Sequence, residues 1–296
     1  MQPVTSAQRN RPSRLAEVVT AMRASVSLLP AAQRPFEDRY ARLFLTDPKW
    51  RLLTANRLLA KAALTIADRR FPGLITENVL RYAYADAAAV NAVRDGIEQV
   101  VNVGAGYDVA PLRLPLDGVR VFELDQVSTQ DRKRSHLSSI LGLAEYPATL
   151  STCDLRYERI EERLPSSGFD PSRPALFLVI GLLVFFPPDV AGRIVSGIAE
   201  AAAPGSRLLF DHMYAGAVAG TLPDIGARRG RLFAERVGEP WTFGLDAADV
   251  EPWLAHRGFA VQESLDITAL RDRFGRPDAV PSRSADFMGI VTAVKR

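Results

Sequence analysis

The stretch from Gln99 to Gln126 constrains this chain most: two short apolar runs are joined there through a glycine turn and a helix-sized interval. The first run, Val100, Val101 and Val103, breaks into Gly104-Ala105-Gly106, and the second ends in Glu123 and Asp125, about twenty residues after the turn. That is the pattern of a βαβ unit that meets a nucleoside. Gly104 and Gly106 carry no Cβ, so the backbone can turn sharply and lie against a ligand. A carboxylate at the tip of the next strand accepts hydrogen bonds from ribose hydroxyls. The pattern implies an adenosine-bearing cofactor; the alternative is an ordinary turn followed by an exposed acidic strand end.

A residue that is not glycine selects among such cofactors. A dinucleotide site uses G-x-G-x-x-G, whose last glycine lets helix and strand close around a pyrophosphate, and here that position is Val109. S-adenosylmethionine has no phosphate and does not need an open helix N-terminus, so Asp108 is expected there as an N-cap, with Pro111 in the first turn. A nicotinamide-linked oxidoreductase on a Rossmann domain is the competing enzyme reading, and Val109 argues against it.

With 296 residues, 47% hydrophobic and 24% charged, the chain can bury one large domain or a domain plus a cap. One cysteine, Cys153, excludes an internal disulfide framework and fits a reducing cytoplasm, and no Cys/His spacing suggests a metal site. The first residues lack the apolar core of a signal peptide. The strongest apolar run, ALFLVIGLLVFF from 175 to 186, is shorter than the roughly 20 residues that span a bilayer and is expected as a buried central strand. The net charge of +3 comes from arginines spread along the chain without interleaved aromatics, so the expected partner is a small-molecule substrate, not nucleic acid or membrane. A homodimer is the assembly to test.

Before residue 96 the pattern is helical: Leu15, Val18, Val19, Met22 and Val26 recur at helix spacing, as do Leu52, Leu53, Leu58, Leu59 and Leu64. Residues 1–95 are expected to form an N-terminal helical cap, and 96–296 the cofactor-binding domain. Strands are expected near 99–103, 119–124, 147–152, 175–181, 206–212, 259–265 and 286–295, alternating with helices near 188–203 and 246–256. Such alternation gives a parallel sheet with helices on both faces. Residues 213–245, rich in Gly and Arg with few strand signals, are expected as a lid-like cover or a plain surface insertion.

The chain resembles the leucine carboxyl methyltransferase family of S-adenosylmethionine-dependent enzymes, and within it the bacterial polyketide O-methyltransferases of tetracenomycin type. The resemblance rests on QVVNVGAGYD (99–108), RLPL (113–116), VRVFELDQVSTQDRKR (119–134), GFDPSRPALFLVIGLL (168–183), APGSRL (203–208) and EPWTFGLD (239–246), in family order from Arg81 to the C-terminus. It implies a class I methyltransferase fold, Rossmann-like, with about seven strands, the last antiparallel, and S-adenosyl-L-methionine as cofactor. Carried onto this sequence, Arg81 pairs with the methionyl carboxylate of the cofactor. Gly104, Ala105 and Gly106 line the methionine and ribose, Asp125 with Glu123 nearby holds the ribose, and Asp154 and Leu155 meet the adenine. Each role suits its chemistry, since a guanidinium meets a carboxylate in a charge-assisted pair. For Arg81 a helix-surface arginine, and for Asp154 a turn cap, are the plain alternatives. One departure stands out: where many relatives carry Glu-Gly-Leu-Leu, this chain has Ile180-Gly181-Leu182-Leu183. A methyltransferase-fold protein with lost or altered chemistry is therefore a third reading.

Methyl transfer needs donor and acceptor held in attack geometry, worth roughly 7 to 11 kcal/mol of barrier, and no metal or covalent residue. A carboxylate acceptor arrives ionised, whereas a phenol with pKa about 10 gains from a general base. His212 is the base expected for a hydroxyl acceptor, because it lies at the predicted C-terminal end of a parallel strand; a hydrogen-bonded wall residue is the alternative. Asp211 and Tyr214 beside it either orient substrate or close the strand. Phe185, Phe186, Trp241 and Phe243 are expected either as an aromatic wall or as core. The sequence thus predicts an O-methyltransferase for a small hydroxyl- or carboxylate-bearing molecule, in bacterial secondary metabolism.

Overall fold

The apolar runs become the strands of one sheet: β1 Gln99–Val103, β2 Arg120–Asp125, β3 Thr149–Thr152, β4 Leu176–Val179, β5 Arg207–Met213, β6 Phe259–Asp266 and β7 Met288–Lys295. The computed structural model describes residues 13–140, 145–276, 283 and 285–296. Strand order is β3-β2-β1-β4-β5-β7-β6. β1 pairs parallel with β2 and β4, β4 with β5, and β2 with β3, while β7 lies antiparallel to both β5 and β6. This is the expected seven-stranded, class I methyltransferase sheet with its last strand antiparallel. The run 175–186 shortens to β4 because Gly181, at φ 65°, turns the chain out of the sheet. β4 is buried between β1 and β5, as its composition predicts. No helix among the described residues is long and apolar enough to cross a membrane.

Helices α1 Arg14–Ser27, α2 Pro48–Leu53, α3 Arg57–Arg70 and α4 Leu74–Arg94 precede β1. Ser13 starts α1 by accepting a hydrogen bond from the Ala16 N–H. α4 is apolar on two sides and works as a hinge of packing between layers. Leu80, Tyr84, Ala85, Ala89 and Ala92 meet Val100, Leu176, Leu178 and Leu209 of the sheet, while Ile75, Val79 and Ala83 meet Val26, Leu29, Phe36 and Leu64 of the preceding segment. The helices before residue 96 therefore share α4 with the sheet. α2 and α3 depart from the expected stripe: Leu52 of α2 and Leu58 of α3 are 64% and 80% exposed, and the buried line of α3 is Ala60, Leu64 and Asp68, at i, i+4 and i+8.

Between and after the strands lie α5 Ala110–Arg113, α6 Val127–Ile140, α7 Ile160–Ser166, α8 Pro188–Ala201, α9 Ala215–Ala219, α10 Ile225–Arg236, α11 Ala247–Ala255 and α12 Ile267–Phe274. α8 starts on Pro188 and stops before Pro204-Gly205, as the sequence dictates. Its Ile194, Val195 and Ile198 pack on Phe177, Phe210 and Leu208 in the core of the other sheet face, each such side chain contributing about 1.5–3 kcal/mol.

Residues 213–245 are the segment expected as a lid-like cover or a plain surface insertion. They hold α9 and α10, and α10 lies so close to the N-terminal layer that a Cβ at Gly226 would collide with the Pro72 carbonyl. The N–H groups of Thr242 and Phe243 both reach the Val184 carbonyl, at 2.7 and 3.2 Å. The cover is thus helical and tied down at both ends.

Candidate functional site: the glycine turn and the tips of β1, β2, β4 and β5

At the end of β1 the chain folds back over β2. The N–H groups of Gly104 and Ala105 both donate to the Leu124 carbonyl, at 2.8 and 3.1 Å. Gly104 and Gly106 sit at φ 72° and 53°, in the left-handed region that a side chain disfavours. A Cβ at 104 would also collide with the Leu182 side chain from the β4 tip, whereas one at Gly106 would meet nothing within 4 Å. Asp125 closes the turn: Oδ2 accepts the Gly106 N–H and Oδ1 the Gln126 N–H, both at 2.7 Å. Burial pushes the Asp125 carboxyl up, against the pull of those two N–H groups. The glycine turn and the acidic strand tip therefore touch, as the sequence pattern requires.

Below the turn, two acids do something other than expected. Asp108 does not cap α5, whose N-cap is Val109 without a side-chain bond. It is buried between two guanidiniums, 2.9 Å from Arg23 of α1 and 2.8 Å from Arg113. Burial alone would raise its carboxyl, but Arg113 and Arg23 outweigh burial and hold it below the usual value. Arg113 also pairs with Asp86 of α4 at 2.5 Å, and Arg23 with Asp38. Glu123 does not face the ribose position. It is fully buried, with Oε2 2.5 Å from Lys133 Nζ and Oε1 accepting the Tyr146 hydroxyl at 2.6 Å. Lys133 also donates to the Asp108 carbonyl. These pairs bind the N-terminal layer and α6 to the underside of the turn.

Arg81 is buried on α4 at the β4 and β5 tips. It donates Nη1 to Asp211 Oδ2 at 2.8 Å and Nη2 to Asn78 Oδ1 at 2.6 Å, while its Nε has no partner. Its Nη2 lies 2.8 Å from where a Gly181 Cβ would be, so glycine there makes room for the guanidinium. Asp211 Oδ1 accepts the Gly181 N–H at 2.5 Å and so locks Arg81 to the β4 tip. Successive residues of a strand point to opposite faces, and the neighbouring His212 packs on the other side with Phe210 and Tyr214. His212 is buried, with Nδ1 2.6 Å from the Leu245 carbonyl. A carbonyl only accepts, so Nδ1 carries the proton and Nε2 is a bare acceptor without a partner. Nε2 lies against the backbone of Gly289 in β7, 2.7 Å from where a Cβ would be. Burial lowers the His212 pKa, so the ring is neutral.

Asp154 and Leu155 follow β3. The Asp154 carboxylate is held by Arg156, at 2.8 and 3.0 Å, and the Leu155 side chain is buried in the core. Phe243 is core beside Trp253, Trp241 packs near Phe287 and Gly230, and Phe185 and Phe186 are half-buried behind the β4 tip. Sequence reasoning missed Glu77, Asn78, Asp86 and Arg23. Only Glu77 leaves a sequence trace, since Glu77 and Arg81 stand at i, i+4 on one helix.

The sequence matches the family described as leucine carboxyl methyltransferase over residues 16–199. The chain belongs to the leucine carboxyl methyltransferase family. It is similar to proteins named as S-adenosyl-L-methionine-dependent methyltransferases from Rhodococcus jostii, at 29% identity over 266 residues (88% of this chain and 86% of the relative), and from Frankia alni, at 29% over 234 residues (77% of each). Two solved structures share the fold of this family member. A protein from Thermobifida fusca named as a methyltransferase superposes with TM-score 0.61 at 20% identity, covering 97% and 96% of the two chains, and a duf574 family protein from Streptomyces avermitilis with TM-score 0.58 at 16%, covering 93% and 100%. The family match runs from α1 through α8, so it includes Arg81, Gly104, Asp125 and Asp154 and stops before Asp211 and His212. The residues of this methyltransferase-family site fit the cofactor of its relatives. Gly106 opens onto space that a side chain would take, Asp125 stands beside it, and the unmet Nε of Arg81 lies at the neighbouring tip.

Proposed function

We propose that this family member is an S-adenosyl-L-methionine-dependent O-methyltransferase for a small hydroxyl- or carboxylate-bearing molecule. The observation that carries the proposal is the closure of the Gly104–Gly106 turn by Asp125, beside a buried Arg81 held at the β4 tip by Asp211. When bound, the cofactor supplies an electrophilic methyl group on a sulfonium. The chain would do the holding: Asp125 would accept from the ribose, Arg81 would pair with the methionyl carboxylate, and the Asp154-Leu155 segment would meet the adenine. α9 follows β5 directly and α10 packs on Pro72 and on Leu74 of α4, where they would help keep water from the site. For a hydroxyl acceptor the base to test is His212, whose neutral Nε2 has no partner but packs against the Gly289 backbone on the sheet face opposite Arg81, so the ring must turn outward to take the proton. A polyketide-type acceptor, a place in secondary metabolism and a cytoplasmic location belong to the same proposal and rest on the motifs and composition of the sequence.

Calorimetric titration with S-adenosylhomocysteine tests the placement. Arg81→Ala and Asp125→Ala are each expected to weaken binding at least about tenfold, since removing one partner of a charged hydrogen bond costs about 1.5–3 kcal/mol. Unchanged affinity in both would show the pocket lies elsewhere, and binding of NADH in its place would make the chain a dehydrogenase-type domain. A second reading, a protein that binds the cofactor without transferring methyl, draws on the apolar Ile180 at the β4 tip. It would prevail if labelled methyl never left the cofactor across a panel of phenols and aromatic acids. Where transfer to a phenol is seen, His212→Asn should slow it about 100-fold or more.

A further inference from the structure

Around the glycine turn and the β4 and β5 tips, the carboxylates are engaged. Glu123 meets Lys133 and Tyr146, Asp108 meets Arg23 and Arg113, Asp125 meets two backbone N–H groups, Asp154 meets Arg156, and Asp211 meets Arg81 and Gly181. Glu77 differs. It is fully buried on α4, and neither carboxyl oxygen has a hydrogen-bond partner.

A glutamate one turn ahead of an arginine on a helix ordinarily pairs with it. Here Arg81 is drawn away to Asp211 and Asn78, and its Nε is also unmet. One turn of α4 thus sets an anion and a cation side by side at the strand tips, each with an idle hydrogen-bonding atom. Among the described residues, the other charges that bear on Glu77 are acidic: Asp224 at the N-cap of α10 and Asp286 ahead of β7 lie within reach of its charge, as does Tyr214. A carboxylate sealed among carboxylates is strongly unfavourable unless a cation or a proton reaches it. At the β4 tip Ile180 offers no acceptor side chain.

An α-amino acid end carries one ammonium beside one carboxylate. We propose that Glu77 receives the α-ammonium of the methionyl end of S-adenosyl-L-methionine while Arg81 receives its carboxylate, so that one turn of α4 reads both charges of the zwitterion. The inference rests on the cofactor placement given above. It makes Glu77 a binding residue that separates intact cofactor and product from adenosyl fragments lacking the amino acid end.

The test is titration of wild type and Glu77→Gln with S-adenosylhomocysteine and with 5′-methylthioadenosine, which keeps the adenosyl thioether but has neither ammonium nor carboxylate. Glutamine keeps the shape and removes the charge, and thermal melting checks that the variant folds. The expected result is at least about a tenfold loss for S-adenosylhomocysteine with methylthioadenosine affinity held within about twofold. Decarboxylated S-adenosylhomocysteine, which retains the ammonium, should be weakened by Glu77→Gln and indifferent to Arg81→Ala. Equal affinity of wild type and Glu77→Gln for S-adenosylhomocysteine overturns the role of Glu77 and leaves the cofactor site standing, as does an equal loss for both ligands. Failure of wild type to bind either ligand overturns the cofactor placement itself.

Discussion

The underside of the glycine turn and the α4–β5 rim are built from the same residue types and treat them differently. Under the turn each carboxylate has found its partner: Glu123 has Lys133 and Tyr146, and Asp108 has Arg23 and Arg113. At the rim, Glu77 and the Nε of Arg81 are buried and unpaired. The first region is scaffold, its carboxylates met within the chain, although Arg23 Nε and Gln130 Oε1 there also lack partners. The second holds polar atoms whose desolvation is offset by nothing in the chain itself, the condition expected where binding or chemistry takes over.

The sharpest way to break this contrast is to unpair the scaffold. Lys133→Met would leave Glu123 as a buried carboxylate held only by the Tyr146 hydroxyl and should cost about 3–5 kcal/mol in urea denaturation, with much of the loss recovered when Glu123→Gln is added. A loss below about 1 kcal/mol would mean that Glu123 is not held as an ion. Next comes the turn itself. Gly104→Ala combines a left-handed φ with a collision against Leu182, so it should cost about 1–3 kcal/mol and lower affinity for S-adenosylhomocysteine at least about tenfold. Wild-type affinity in that variant would show that the turn does not bear on the cofactor.

The smallest effect runs the other way, at the rim. Burial pushes the Glu77 carboxyl well above its usual 4.5, with Asp224 adding to the rise, Arg81 opposing it and Asp286 adding again. A raised carboxyl binds its proton more tightly folded than unfolded. Its share of stability is therefore present below about 4.5 and is lost as pH rises through the folded value. Glutamine never ionises, so without ligand the melting temperature of Glu77→Gln should draw ahead of wild type between about pH 5 and pH 8, by about 2–4 °C for each kcal/mol gained. A difference that shrinks with rising pH would place a cation of the chain on Glu77 and erase the contrast between the two regions.

Much of the architecture is local and was open to inspection residue by residue. β1 and β2 announce themselves through Val100, Val101, Val103 and the run into Leu124, and the turn through two glycines whose positive φ angles only they hold easily. α10 is a different case. Its buried face is Gly226, Ala227, Gly230 and Ala234, too small to register as an apolar stripe amid arginines, and its smallness matters only because α4 and Pro72 press against it. Asp108 looks like a helix cap until Arg23, 85 residues earlier, is brought beside it. Arg81 could pass for a helix-surface arginine until Asp211, 130 residues later, takes the guanidinium.

The sequence by itself determined the sheet, the glycine turn and the acidic tip at Asp125, because strand periodicity and the absence of Cβ atoms act over a few residues at a time. Tertiary structure decided which charges are spent and which are kept. An ion pair is chosen by whichever opposite charge burial brings within about 4 Å, and for Asp108 with Arg23 and for Arg81 with Asp211 those partners come from distant segments that only the assembled sheet and its helices place together.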